Sequence, residues 1–360
     1  MQKIIRYIML AAVIYLGVCL VLFPTEGISV ARDAISLCLA SVIPSLFPYL
    51  ICSGYLSASG ASKLLSRYLS PIMRPLFGVP GCGAIALVLG TVSGYPIGAA
   101  CANDLYKSGE CTKLEAEKLL AFCNNSGPLF IMSVIGCEFL NSPHIGRLLY
   151  ISHVLSAVLT GVIFRSYGHG DALRQKALPK SASPKIKNTL RIVGDVMDSS
   201  VFAMLKICGF VVFFTVFAAS LPRGAFSPFL HPLLEVVGGI KALSALRLDF
   251  SLKLSLISFF TAFSGLSVIL QVGAVISESG LSLKPYVIGK TLQGIFSFVI
   301  TKILVSRLPE TVDVFTKNAA EAVIFPPHSA LLSSVLMLCF ALTVLALFIA
   351  AGALFKRLRH

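Results

Sequence analysis

Long apolar segments separated by short polar ones run along most of this chain. Windows such as Ile8–Phe23, Ile151–Phe164 and Leu331–Leu354 contain no Lys, Arg, Asp or Glu. A membrane-spanning helix needs about 20 mainly apolar residues. The pattern therefore predicts an all-α polytopic membrane protein, with uninterrupted spans near 4–23, 145–164, 196–221 and 330–355.

Composition agrees with this prediction. Charged residues make up 13% of the chain and hydrophobic residues 56%, whereas a soluble domain carries about 25% charged residues. The net charge of +14 fits the basic loops on the cytoplasmic side of membrane proteins better than nucleic-acid binding. We therefore expect the bilayer as a partner, no nucleic acid, and a cytoplasmic position for the basic loop 165–195.

Four of the apolar segments contain glycine, proline or polar residues that are unusual in a membrane-spanning helix. Three glycines and a proline lie within Gly90–Gly98, in the middle of segment 81–103. Segment 250–278 contains Ser264-Gly265, and we predict a re-entrant hairpin in each of these two segments. Segment 119–140 contains Asn124-Asn-Ser-Gly-Pro128, and segment 283–305 contains Lys290, Thr291 and Gln293. We predict that these two are broken spans.

A shift of 171 residues brings Ser93-Gly94 onto Ser264-Gly265 and Ser108-Gly109 onto Ser279-Gly280. This predicts a first transmembrane half over 1–164, the basic loop 165–195, a second half over 196–306, and a C-terminal loop and last span over 307–360. Counting spans from a cytoplasmic loop makes the halves an inverted repeat, a pattern of secondary transporters. The same count places the basic C-terminal tail outside, against the positive-inside rule, so the orientation of the tail stays open.

Irregular backbone persists inside a membrane where it is buried in protein or lines a wet cavity. The residues at the four interruptions therefore form the candidate substrate-binding set. Close helix packing by small residues is the alternative explanation for the Ser and Gly positions. The set consists of Ser93, Gly94, Tyr95, Asn124, Asn125, Ser126, Ser264, Gly265, Ser267, Lys290, Thr291 and Gln293.

Two lysines lie inside predicted spans, Lys206 and Lys290. A lysine at the centre of a bilayer costs about 2.5–3.5 kcal/mol on insertion scales, which makes it a candidate functional residue. Lys290 could meet a substrate carboxylate; the alternative is that either lysine reaches an interface or pairs with an acid such as Asp198 or Glu278. The sequence contains no recognisable catalytic set, metal cluster or phosphate loop, so we expect no enzyme activity, no metal and no cofactor.

Two motifs, Ser93-Gly-Tyr-Pro-Ile-Gly98 and Phe122-Cys-Asn-Asn-Ser-Gly-Pro128, resemble those of the sporulation integral membrane protein family YlbJ, also called SpoVV. That family belongs to a wider group with the nucleoside-recognition, or gate, domain, which includes concentrative nucleoside transporters. The resemblance implies two re-entrant hairpins and two broken spans around a central site. It also implies a role in spore formation, movement of dipicolinic acid, and a place in the mother-cell-derived outer forespore membrane.

The nucleoside transporters carry a glutamate at both hairpin tips, and neither predicted tip here has an acid. We therefore expect a membrane transporter of a small anionic metabolite, with dipicolinic acid as the candidate that the resemblance suggests. A nucleoside or other small-solute transporter of the same fold is one alternative. A non-transporting scaffold in spore-envelope assembly is another. Self-association, the coupling ion and the direction of transport stay open.

Overall fold

The computed structural model describes residues 2–58, 61–168, 189–221 and 227–307, and every regular element in these ranges is a helix. Most of the basic loop, the C-terminal loop, the predicted last span near 330–355 and the C-terminal tail lie outside the described residues.

The chain begins with two helices that meet at a sharp bend. Helix α1 (Gln2–Leu22) and helix α2 (Pro24–Leu37) are inclined by 112° at Phe23. Pro24 has no backbone N–H with which to extend α1, and it occupies the first turn of α2, where that N–H would have no partner in any case. A π-helical turn, Cys38–Val42, then leads into α3 (Ile43–Ala58).

Helix α4 (Ala61–Phe77) comes next, and a short helical hairpin follows it. Helix α5 (Gly83–Val92) and helix α6 (Ile97–Lys107) are separated by residues 93–96. Gly94 adopts φ +90° there, a conformation that favours glycine. A methyl group at Gly90 would lie 2.8 Å from the Gly98 Cα, so α5 and α6 pack with almost no side chain between them.

Helix α7 (Lys113–Cys123) begins at a capping box in which Thr112 and Glu115 exchange hydrogen bonds. It ends at an unwound stretch, 124–128, after which the chain continues as a π-helix, Leu129–Phe139. Helix α8 (Pro143–Phe164) completes this half. The Asn-Asn-Ser-Gly-Pro sequence therefore coincides with a break between two helices.

The second half starts with a long helix, α9 (Thr189–Ser220). Two short helices follow, α10 (Ser227–Leu234) and α11 (Val236–Ser244), joined by Glu235 alone. Gly239 of α11 lies directly against the backbone of Pro232 in α10. The two helices therefore fold back on each other with Glu235 at their tip.

Segment 250–278 is not a hairpin, which corrects the sequence prediction. Helix α12 (Phe250–Phe263) and helix α13 (Gly265–Ile276) together form one apolar element of 27 residues, long enough to cross a membrane. The interruption is local, because Ser264 and Gly265 both adopt φ +74°.

Segment 283–305 is not a broken span, which is a second correction. Helix α14 (Lys284–Val305) is continuous. Lysine and glutamine are good helix formers, and the side chains of Lys290 and Gln293 find hydrogen-bond partners on neighbouring elements. The polar residues therefore need no gap in the backbone.

The same order of elements occurs in both halves, and it pairs other residues than the predicted shift of 171 does. Residues 93–94 at the α5–α6 tip correspond to the α10–α11 tip, and the break at 124–128 corresponds to the break at Ser264. A shift of 141 residues brings Gly98 onto Gly239 and Ser126 onto Ser267. Contacts between the halves follow the same correspondence, since α7 packs on α14 and α12 packs on α8.

Within the described ranges, four helices are long and apolar enough to cross a membrane, or up to five if the bent α1–α2 pair counts as one span. Their bounds are Pro143–Phe164, Leu190–Ser220, Phe250–Ile276 and Lys284–Val305. The protein is an all-α polytopic membrane protein. Each half contributes one short hairpin and one interrupted helix to its interior.

Candidate functional site

A buried polar cluster fills the gap in the first interrupted helix. Asn124 and Asn125 are fully buried, and Ser126 is 1% exposed. The Asn124 side chain donates to the Tyr286 hydroxyl at 3.2 Å and accepts from the Ala99 N–H at 3.4 Å. The freed polar groups of the break are therefore satisfied by helices α14 and α6.

Lys290 and Gln293 of α14 complete this cluster. The Lys290 Nζ donates to the Asn124 carbonyl oxygen at 2.9 Å and to Gln293 Oε1 at 2.7 Å. Gln293 Nε2 donates to Asn125 Oδ1 at 2.9 Å. Because Lys290 and Gln293 are both fully buried, these bonds join the two halves of the protein in its interior.

Ser126 connects the cluster to three further elements. Its N–H donates to His153 Nε2 on α8 at 3.1 Å, and its hydroxyl donates to the Thr261 carbonyl on α12 at 3.0 Å. Its side chain also lies near the hydroxyl of Tyr95 at the first hairpin tip. The first tip and the first break are thereby held in one position relative to each other.

A cavity of about 300 Å³ lies beside the cluster, where the two hairpin tips meet α13. Its polar wall combines both tips with one face of α13, and its apolar wall comes mainly from α2, α3, α9 and the π-helix 129–139. The polar wall contains Ser93, Gly94, Tyr95, Glu235, Ser267 and Gln271.

Two polar atoms in this wall have no hydrogen-bond partner among the described residues. They are Ser93 Oγ and Gln271 Oε1, on residues only 2% and 4% exposed. A buried polar atom without a partner costs roughly 1–3 kcal/mol. A bound solute or water in the cavity would remove that cost, so both atoms make the cavity a candidate binding site.

Glu235 places a carboxyl group in the cavity wall. It is 3% exposed, and its two carboxylate oxygens accept from the N–H groups of Val237 at 2.9 Å and Gly238 at 2.7 Å. These bonds and the partial positive charge at the start of α11 stabilise the carboxylate. No Lys or Arg is among the described residues that line the cavity.

The predicted site residues fall into three groups. Ser93, Gly94, Tyr95 and Ser267 line the cavity. Asn124, Asn125, Ser126, Lys290 and Gln293 form the polar cluster, which contacts the cavity through Tyr95 and Gly127.

The third group lies elsewhere. Ser264 and Gly265 form the second break, where the Ser264 hydroxyl donates to the Ala262 carbonyl at 3.3 Å and Gly265 packs on carbonyls of α10. Thr291 lies on the exposed face of α14, where its hydroxyl donates to the Val287 carbonyl at 2.9 Å.

The alternatives for the lysines can also be compared with the structure. Lys206 lies on the exposed face of α9. Glu278 pairs with Lys107, with a nitrogen–oxygen distance of 3.6 Å, rather than with Lys290. Among the described residues no three His, Cys, Asp or Glu side chains come together in a metal-binding arrangement.

Sequence reasoning missed Glu235 as a site residue and was wrong that both tips lack an acid. Segment 227–249 contains Pro232 before Glu235, and Gly238-Gly239 after it. A Pro–acid–Gly-Gly order within an apolar stretch is the signal that could have located the second tip.

Sequence similarity to known proteins gives the class of the protein. The sequence profile of the Gate family, described as nucleoside recognition, matches residues 39–222. The chain belongs to this family of integral membrane proteins. Its sequence is also similar to the sporulation integral membrane protein YlbJ of Bacillus subtilis (strain 168), with 29% identity over 344 residues and 84% of each chain covered. No solved structure matches the chain.

Proposed function

We propose that this protein transports a small metabolite across the membrane and binds it in the cavity between the two hairpin tips. The observation that carries the proposal is the pair of unpartnered buried atoms, Ser93 Oγ and Gln271 Oε1, in one cavity. Transporters built from repeats place their substrate sites where discontinuous helices meet. Here the cavity lies beside both interrupted helices.

The cavity suits a solute with an apolar body and a few hydrogen-bonding groups. Its apolar wall includes Leu46, Phe130 and Val211, and a volume of about 300 Å³ is at the lower end of small-molecule sites. Most of the polar groups lie at the two tips and on α13, and the π-helix adds Ser133 and Glu138. Such a division would orient a small, flat ring with its substituents toward Gln271 and Glu235.

Dipicolinic acid is the candidate substrate that the family resemblance suggests, with a role in spore formation at the outer forespore membrane. The ring and size of this molecule suit the cavity. Its two negative charges do not, because Glu235 is an acid and the lining lacks Lys and Arg. We therefore propose that dipicolinate enters the cavity with its charge neutralised by protons or by a bound cation.

An uncharged solute such as a nucleoside is the second candidate. Glu235 and the free Gln271 Oε1 are acceptors that would bind the N–H and O–H groups of a nucleoside. Lys290 does not argue against this candidate, since its ammonium is enclosed in the polar cluster and is not part of the cavity wall.

Uptake by proteoliposomes tests both candidates. The purified protein is reconstituted and given radiolabelled dipicolinate or radiolabelled uridine, over a range of pH for dipicolinate. We expect Ser93→Ala and Gln271→Leu to reduce uptake of the true substrate. Thr291→Ala, on the exposed face of α14, is the control and should transport like the wild type.

The outcome distinguishes the candidates. Saturable uptake of one solute, lowered by the cavity variants alone, identifies the substrate class. Folded wild-type protein that takes up neither solute contradicts the proposal for both and favours a structural role in the membrane.

A further inference from the structure

A lysine ammonium lies at the first break, in a place that suits a small cation. Lys290 is fully buried, and its Nζ contacts the Asn124 carbonyl oxygen at 2.9 Å and Gln293 Oε1 at 2.7 Å. Both partners are neutral oxygens. Neutral carbonyl and amide oxygens are also the ligands that unwound helices offer to small cations in transporters.

No carboxylate of the described residues neutralises this charge. Among the residues that the structure describes, Lys290 forms no ion pair. A charge buried without a counter-ion is costly unless dipoles are arranged around it. The arrangement here is a carbonyl from the broken helix and an amide held in turn by Asn125. The charge of the lysine is therefore used to hold the unwound segment.

Lys290 also cannot act as the substrate contact predicted from sequence while these bonds persist. It is absent from the cavity lining, whereas Gly127, three residues after Asn124, is part of it. The ammonium is not part of the cavity wall. It holds the Asn124 carbonyl, and so it sets the position of the unwound backbone that continues into this wall at Gly127.

We propose that Lys290 is a built-in monovalent cation: its ammonium, which is attached to the chain, takes at the first break the place of a bound inorganic cation. The protein then needs no added cation at this place. For transport the inference rests on the proposed carrier function, and it predicts that any cation required for uptake binds outside this break. For stability it stands without that function.

The test removes the lysine and offers a small cation in its place. Purified Lys290→Ala, Lys290→Met and wild-type proteins are unfolded by heat in detergent, at equal ionic strength. The salts are the chlorides of N-methyl-D-glucamine, sodium, potassium and propylammonium. Lys206→Met, which removes an exposed lysine of α9, is the matched control.

In N-methyl-D-glucamine, which is too large for the vacated space, we expect both Lys290 variants to melt several degrees below the wild type. Lys290→Ala should regain stability in one of the three small cations, with a shift that saturates with concentration as for binding to the folded state. Lys290→Met keeps the space filled and should not respond. The wild type and Lys206→Met should melt alike in all four salts.

Two results would overturn the inference: a Lys290→Met variant as stable as the wild type, or a folded Lys290→Ala variant that responds to no small cation. If Lys290→Ala does not fold, the stability of Lys290→Met decides the question alone. Because melting requires no substrate, these results remain valid if the uptake experiments fail.

Discussion

Replacing Glu235 by alanine removes the cap of α11 at the point where the second hairpin turns. The variant loses two charge-assisted hydrogen bonds, from the N–H groups of Val237 and Gly238 at 2.9 and 2.7 Å. Both N–H groups are left without this partner, at a tip where Glu235 itself is only 3% exposed. An unsatisfied buried donor costs about 1–3 kcal/mol, so we expect a loss of about 2–4 kcal/mol in the free energy of unfolding.

Asp249 provides the matched control because it caps α12 in the same way on the surface. It is exposed, and it accepts one bond, from the Leu252 N–H at 2.9 Å. Water can replace that bond, so Asp249→Ala should cost about 1 kcal/mol, the usual value for an N-cap. Thermal unfolding of both purified variants in detergent measures the difference.

Glu235→Gln separates the capping role from the charge. The glutamine keeps one acceptor oxygen and the size of the side chain, so we expect it to recover part of the stability that Glu235→Ala loses. Equal melting temperatures for Glu235→Ala and Asp249→Ala would refute the reasoning, because a buried double cap cannot cost the same as an exposed single one.

Two further predictions concern the interior. Asn125→Ala and Gln293→Ala should be coupled in a double-mutant cycle by about 0.5–1.5 kcal/mol, the net value of one hydrogen bond, because Gln293 Nε2 donates to Asn125 Oδ1 at 2.9 Å; additive effects on unfolding would show that this bond is not formed. Gly98→Ala should lower the melting temperature strongly, since its methyl group would collide with the Cys123 carbonyl, whereas Gly209→Ala should be harmless because no atom lies within 4 Å of the added carbon; equal melting temperatures would contradict the close packing of the hairpin.

The sequence was most informative where the membrane restricts the choices. A charge-free apolar window such as 151–164 must be a buried or spanning helix, and it lies in α8. The break at 124–128 was predictable too, because Gly127 and Pro128 disfavour a helix and two asparagines need partners inside an apolar segment. In both places the local sequence is compatible with one backbone structure.

The second half was predicted poorly because its signals are shared by different structures. Ser-Gly occurs both at the hairpin tip, Ser93-Gly94, and in an interrupted span, Ser264-Gly265. The shift of 171 residues therefore aligns a hairpin tip with a break in a span. The polar residues Lys290 and Gln293 predict a gap in their helix, although their partners are supplied by the unwound stretch 124–128. Only the tertiary structure distinguishes a polar break from a continuous helix that offers polar side chains.

The packing of Gly90 and Gly98 on the Cys123 carbonyl bears on how the cavity could open. Backbone packed on backbone has no side chain that can rotate away, so the first hairpin and the end of α7 form one rigid body. The opposite wall, with Leu46, Ile207 and Val211, consists of side chains on separate helices that can slide past one another. A movement that changes access to the cavity and keeps the glycine contact must therefore take place between the helices of this apolar wall.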